Sequence, residues 1–425
     1  METPLPWLAP YRDAPLDARV LVPSSKSLTN RALVLAAIAE GPSTVGRPLG
    51  SRDTTLMADA LVTLGADVER TPAAWTVTPG RRTGTAPTTI DCGLAGTVMR
   101  FLPPVAALGP GPVTFDGDEG ARARPMGTTI SSLRALGVEI DDADRSALPF
   151  TVHGTGGVAG GILEVDASAS SQFVSALLLA APAFDHGLDL RHVGAPLPSL
   201  PHVEMTVAEL RRRGVDVDDS QPDRWRVAPG AVAALDVEIE PDLSNAGVFI
   251  GAALATGGRV AVRRWPHETQ QAGDAWHRIV RAFGGTSERD GDDMVFAAGN
   301  TLSGVDLDLH DVGELTPVVA AVAALADGPS HLRGVAHLRG HETDRLAALA
   351  TEINRLGGHV TETDDGLRIS PQPLHGAIFR TYHDHRMAHA AVVLALRVPE
   401  LFVENVRTTV KTYPNFAPVW ERLVA

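Results

Sequence analysis

Six stretches of this 425-residue chain are rich in Ala, Leu and Val on every face of a helix, not on one stripe. They begin near Ser27 (SLTNRALVLAAIAEG), Gly96 (GTVMRFLPPVAALG), Ser171 (SQFVSALLLAAPA), Ser244 (SNAGVFIGAALATGG), Glu314 (ELTPVVAAVAALADG) and Asp384 (DHRMAHAAVVLALRV). The spacings between starts are 69, 75, 73, 70 and 70 residues. A helix that is apolar all round is a buried helix, so the pattern predicts central helices with sheets outside them. After each of the first five comes a second helical pattern that stops at a glycine: Gly65, Gly137, Gly214, Gly284 and Gly357. Glycine just past the last periodic residue is the expected C-terminal stop. Short β-branched stretches such as WTVTP, ILEVDA and RVAVRR fill the gaps as strands.

The period makes the chain a sixfold repeat, too long for one ordinary core. The sixth copy is short. Its second helix falls at VWERLVA, where the sequence ends, so its closing strand has to come from elsewhere. The N-terminal segment, with ARVLVP at residues 18–23, is the expected donor. Both ends of the chain then belong to one domain. The predicted organisation is an α/β (α+β) protein of two similar three-repeat domains. One spans residues 21–238, and the other joins 1–20 to 239–425. Helix N-termini facing a cleft between the domains would favour anions there.

Composition narrows the functional classes. The formal net charge is −14, which opposes a general nucleic-acid binder. No apolar run of about 18 residues suggests a membrane span, and METPLPWLAPYRDAP lacks the form of a secretory signal. A cytoplasmic location is expected. One cysteine, Cys92, leaves no intramolecular disulfide and no multi-cysteine metal site. The 37 basic side chains include only two lysines, Lys26 and Lys411. An Arg-rich chain that keeps Lys at two places points to positions needing a compact ammonium in place of a planar guanidinium.

The chemistry-bearing residues gather where the helices start. PSSKSLTNR holds Lys26, Ser27 and Arg31; CGLAGTVMR holds Gly96, Thr97 and Arg100; EGARARPMG holds Arg122 and Arg124. ASSQF holds Ser170, Ser171 and Gln172, and DVGELTP holds Glu314. RGHETDRL holds Arg339, His341, Glu342 and Arg345; YHDHRMAH holds His383, Asp384, His385 and Arg386; VKTYPNF holds Lys411. Each alone has a plain structural reading. Ser, Thr and acidic residues cap helices, which accounts for Glu342, Thr343 and Asp344. Capping does not account for Arg339 and Arg345, because cations are unfavourable at a helix N-terminus. HDHR invites a metal, yet no second His/Asp/Glu motif completes a site, and none is expected. Recurrence at the same point of a repeated unit is what makes the set informative.

Taken together, PSSKSLTNR, AGT–R, RPMG, SSQF, ETDRL, DHRMA and KTYP occur in the order found in the 5-enolpyruvylshikimate-3-phosphate synthase family of enolpyruvyl transferases, and the chain resembles that family from about Leu21 to Phe416. The resemblance implies two domains of three βαβαββ units with the active site in the cleft between them. It implies transfer of the enolpyruvyl group of phosphoenolpyruvate to the 5-hydroxyl of shikimate 3-phosphate, in the pathway to chorismate and aromatic amino acids, by a monomer without metal or organic cofactor. By resemblance, Lys26, Ser27, Arg31, Ser170, Ser171, Gln172, Ser199, Glu314 and His341 bind shikimate 3-phosphate. Lys26, Gly96, Arg124, Gln172, Arg345, Arg386 and Lys411 bind phosphoenolpyruvate. Glu314 is the expected base, Glu342 the expected acid, and Lys26, near both substrates, is the third expected catalytic residue. Gly96 leaves room for the inhibitor glyphosate.

The sequence departs from the family pattern at several points. Leu94 stands where Asn is frequent, Phe101 where Pro is, Leu200 where Lys is and His202 where Tyr is. Glu314 replaces the usual Asp, and His337 and His341 replace Asn and Lys. Three other readings compete. UDP-N-acetylglucosamine enolpyruvyl transferases share the donor but carry a catalytic Cys before the RP motif, where GDEGARARP has none. An RNA 3′-phosphate cyclase-like protein would need a basic RNA face. A non-catalytic anion binder would lack a placed acid and base.

Overall fold

The computed structural model describes residues 5–424. It divides into two compact units, one of Ser24–Ile239 and the other of Met1–Pro23 with Glu240–Ala425. Among the described residues the strands form six small sheets, five of four strands and one of three. No helix among them is long and apolar enough to cross a membrane.

The third repeat shows the plan. Strand Gly161–Val165 leads into helix Ser171–Ala180, strand Leu188–His192 and helix Pro201–Arg212, then strands Val217–Asp218 and Arg224–Val227. Leu188–His192 pairs in parallel with Gly161–Val165 and antiparallel with Arg224–Val227. The second repeat (Thr88 to Thr155) and the fifth (Asp306 to Ser370) have the same order. A parallel pair needs a crossover, and the apolar helix supplies it.

The central helices are buried as their composition requires. Gly96–Ala106, Thr316–Ala324 and His385–Ala395 are buried at every position. Only Gln172 of Ser171–Ala180 reaches out. Leu243–Thr256 ends at Gly257 in the left-handed conformation (φ 69°), a position that favours glycine. The structure moves some helix starts from the expected residue. The helix expected at Glu314 begins at Thr316, after a short 3₁₀ segment His310–Leu315 that carries Glu314 itself.

The two strand-deficient repeats of the second unit are completed by the N-terminal segment, but not in the expected way. The ARVLVP stretch does not close the sixth repeat. Its strand Asp17–Val20 pairs in parallel with Arg259–Val262 and opens the fourth. The sixth repeat is closed by Trp7–Leu8, antiparallel to Phe402–Val403. The reason is direction: ARVLVP runs parallel to its neighbour, whereas a closing strand must run antiparallel. In the first unit Val237–Glu238 plays the opening role, parallel to Ser43–Gly46.

The docking of the N-terminal strand rests on a close backbone approach. A Cβ at Gly258 would lie 2.1 Å from the Leu16 carbonyl oxygen, and the Arg259 N–H donates to that oxygen at 2.6 Å. Gly258→Ala should therefore destabilise the second unit by about 1–3 kcal/mol, the usual range for forced overpacking. Denaturant midpoints measure the loss, and limited proteolysis should cut the N-terminal segment faster. An unchanged midpoint with unchanged proteolysis would show that Leu16 yields freely.

Candidate active site

In the unit Ser24–Ile239, Ser25 caps helix Lys26–Ala37 by accepting the Leu28 N–H. Lys26 is thereby the first helical residue, and its Nζ lies 3.0 Å from Oδ2 of the buried Asp53. Asp53 was not among the expected site residues. Its signal in the sequence was an acid in the first turn of helix Arg52–Thr63, which reads as ordinary dipole complementarity.

Arg31 departs furthest from expectation. It is 1 % exposed, with Nε donating to Thr206 Oγ1 (2.8 Å) and the two Nη atoms donating to Ser27 O, Ser175 Oγ and His202 O. The ring of Phe101 lies 5.2 Å from its Cζ. Burial outweighs the distant Glu209 carboxylate and pushes its pKa down to about 10. In this conformation its donors serve its own unit, so the structure does not offer Arg31 to a ligand. Phe101, where the family often has Pro, is part of that packing.

Gly96 begins a helix that has no side-chain cap. A Cβ there would sit 2.9 Å from Arg124 Nη1 and 3.0 Å from Arg100 Nη1, so two guanidinium groups converge on it. Arg124 donates to Leu94 O, and Arg100 donates to Gln172 Oε1 at 3.0 Å. Arg100 lies on the same helix as Gly96, in its second turn, and is not among the site residues that the family resemblance implies. Burial and the Arg124 charge together pull its pKa well below the ordinary guanidinium value. Uncapped N–H groups beneath two arginines make a strong anion site. Nearby, Ser170 caps helix Ser171–Ala180 through Gln172 N–H, and Ser171 is buried. Ser199 adopts φ 55° at the turn into helix Pro201–Arg212, its carbonyl accepting the His202 N–H.

The other unit holds the RGHETDRL segment. Asp344 is the cap, accepting from Leu346 and Ala347 N–H at 3.1 and 3.0 Å. Arg339 turns away to Glu362 and Asp344. Glu342 does not cap. Its Oε1 lies 2.6 Å from Lys411 Nζ, and its Oε2 lies 3.3 Å from His385 Nδ1. Burial pushes this carboxyl up, but Lys411, His385 and Arg345 outweigh it and hold it well below the usual range. Glu342 is ionised here.

Arg345 is buried beside the wholly buried Asp384, with Nε to Oδ2 at 2.7 Å and Nη2 to Oδ1 at 3.2 Å. Its Nη1 is 3.3 Å from His341 Nδ1. Asp384 also caps the next helix by accepting Arg386 N–H. Arg386 donates to Ser244 O at 2.9 Å, and Ser244 Oγ donates to Glu314 Oε1 at 3.4 Å. His341 and His310 flank His337, each with ring centroids 5.9 Å from it. Glu342, Asp384 and His385 bring potential metal-ligand atoms within 4.8 Å of one another. Those carboxylates already face Lys411 and Arg345, so a divalent cation would have to displace both.

A family model described as EPSP synthase (3-phosphoshikimate 1-carboxyvinyltransferase) matches residues 11–420. The chain belongs to the EPSP synthase family. It is 57% identical to a 3-phosphoshikimate 1-carboxyvinyltransferase of Kocuria rhizophila, over 98% of this chain and 96% of that one. Its fold is like that of the EPSP synthase from Acinetobacter baumannii, with TM-score 0.81 at 22% identity, covering 99% and 98% of the two chains. It is also like that of the enolpyruvyl transferase NikO from Streptomyces tendae, with TM-score 0.76 at 18% identity, covering 99% and 97%. EPSP is 5-enolpyruvylshikimate 3-phosphate, so the family expected from the motifs is the one found.

Two stability changes follow from this family member's charged cluster. Asp384→Asn keeps a good cap but strips Arg345 of its buried counter-charge, and should cost about 3–5 kcal/mol. Equal denaturation midpoints for the two proteins would show that another group takes over. His337 titrates near 6.5 when unfolded, while burial, joined by the charges of His310 and Arg345, pushes it down to about 4 in the fold. Between those values the unfolded state binds more protons, so stability falls as pH falls through that window. His337→Asn should flatten this slope in urea titrations at stepped pH.

Proposed function

We propose that the chain transfers the enolpyruvyl group of phosphoenolpyruvate to the 5-hydroxyl of shikimate 3-phosphate and releases phosphate. Kinship to a full-length relative of that activity supports the reaction. One observation carries the mechanism: Glu342 is a half-buried carboxyl kept ionised chiefly by Lys411. An anion that draws Lys411 and Arg345 to itself removes two of the downward influences, the strongest among them, and lets burial raise the pKa against His385 alone. Glu342 then holds a proton only when the donor substrate is bound.

Three proton transfers are needed, and two groups can share them. As the acceptor oxygen attacks the enol carbon, a base must take the hydroxyl proton and an acid must protonate the methylene. In the second step a methyl proton is removed and phosphate leaves. We assign Glu314 to the hydroxyl and Glu342 to the methylene, which receives and then returns its proton. Lys411, Arg345, Arg386, Arg124 and the Gly96 helix start hold phosphoenolpyruvate. Ser27, Ser170, Ser171, Ser199 and His341 hold shikimate 3-phosphate, with Lys26 and Gln172 serving both. Arg31 joins the second set only by giving up one of its internal bonds.

A cytoplasmic monomer acting on small molecules, without nucleic acid, metal or organic cofactor, completes the proposal. A cysteine-dependent transferase is disfavoured by burial of Cys92, which pushes its thiol pKa far up. A phosphate-release assay with shikimate 3-phosphate and UDP-N-acetylglucosamine side by side tests the acceptor. Turnover with only the second would overturn the reading.

The two lysines give a sharper test. Amine acylation can reach only Lys26, Lys411 and the chain's amino terminus, so it should abolish activity, and both substrates together should protect. Lys26→Arg keeps the charge but widens the donor. Displacing a reacting group by about 1 Å costs on the order of a hundredfold in rate, and a loss of at least that size is expected. A fully active Lys26→Arg enzyme would remove Lys26 from the site.

A further inference from the structure

Arg100 is 3 % exposed, and among the described residues no carboxylate pairs with it. Its Nε has no hydrogen-bond partner. Its Cζ lies 5.2 Å from the ring of Phe173, the residue after Gln172, and its Nη1 is 3.0 Å from Gln172 Oε1. A guanidinium has donors only, whereas a glutamine amide has one accepting and one donating end. The contact therefore has a single chemical sense: Arg100 fixes the oxygen of Gln172. The Gln172 NH₂ is left as the end available to a ligand. Gln172 is also the one residue of its helix that is not buried.

We infer that Arg100 is a positioning residue that sets Gln172 as an obligate hydrogen-bond donor to an anionic oxygen of the substrates. Stacking on Phe173 holds the guanidinium in place, and with no carboxylate to satisfy it, the Gln172 oxygen keeps it oriented. A flipped amide would face Arg100 with its NH₂, donor against donor, inside a buried site. The orientation is thus imposed before any ligand arrives. This rests on the enolpyruvyl-transfer reading above.

The test is a double-mutant cycle in the phosphate-release assay with shikimate 3-phosphate. Losing one hydrogen bond to a charged group corresponds to about 10- to 100-fold. Arg100→Met and Gln172→Leu should each raise KM for phosphoenolpyruvate by that factor, with a smaller change in kcat. The double variant should be no worse than either single one. Arg100→Lys keeps a donor to Oε1 and should recover most of the loss. Gln172→Glu, paired to Arg100 through one oxygen, would turn the other toward the anion, so it should be at least as impaired as Gln172→Leu. Multiplying effects in the cycle, or a Gln172→Glu enzyme near wild type, would overturn the inference. If Arg100→Met does not fold, Arg100→Lys and Gln172→Glu still decide it. Wild-type protein inactive with shikimate 3-phosphate would instead sink the reaction assignment, a result separable from either outcome.

Discussion

Helices that are apolar on every side must be covered on every side, and this leaves them little surface for chemistry except their ends. The rest of the molecule follows from that constraint. Lys26, Gly96, Ser171, Ser244 and Asp384 all lie at or within a residue of where a buried helix begins. The end that emerges also carries the positive pole of the helix. Anion binding is thus a natural use for the surface this architecture leaves.

Placing charge at the edge of an apolar core is costly unless it is answered. Two kinds of answer are found. In the unit Glu240–Ala425 with its N-terminal strands, the cations lie against carboxylates: Arg345 against Asp384 and Lys411 against Glu342. In the unit Ser24–Ile239, Lys26 likewise faces Asp53, whereas Arg31 and Arg100 hydrogen-bond to neutral acceptors and pack on aromatic rings. A carboxylate partner lets an anion act by exchange, freeing the carboxyl for proton chemistry. A neutral partner holds the cation in place without a proton to exchange. Only the first arrangement couples ligand binding to a change of protonation.

Much of this was legible in the sequence because it is periodic. The six apolar helices and their glycine stops follow from spacing alone, and the clustering of polar residues at the helix starts was visible in the same frame. What could not be read was pairing across distance. Nothing local says that Asp384 holds Arg345, that Lys411 holds Glu342, or that Asp53 faces Lys26, since each pair joins different repeats or helices. Direction was equally hidden: ARVLVP is plainly a strand, but whether it runs parallel or antiparallel to a partner depends on where the chain enters the sheet. Arg31 illustrates a third limit. Its motif marks it as a ligand contact, whereas its length lets it reach back to Thr206, Ser175 and the His202 carbonyl.

The N-terminal strands also set an order in time. The segment Ser24–Ile239 is continuous and is complete once Val237–Glu238 has left the ribosome. The other unit must keep Trp7–Leu8 and Asp17–Val20 unpaired until strands made much later appear. The inserted unit leaves after Pro23, and the chain returns at Asp242, whose N–H donates to the Pro23 carbonyl at 2.8 Å. Folding the insert first replaces a loop of more than two hundred residues with a short closed one and removes most of the closure entropy. During synthesis, the strands made before the insert are thus among the last to find their sheets, and until then they are bare edge strands exposed to whatever else is unfolded nearby.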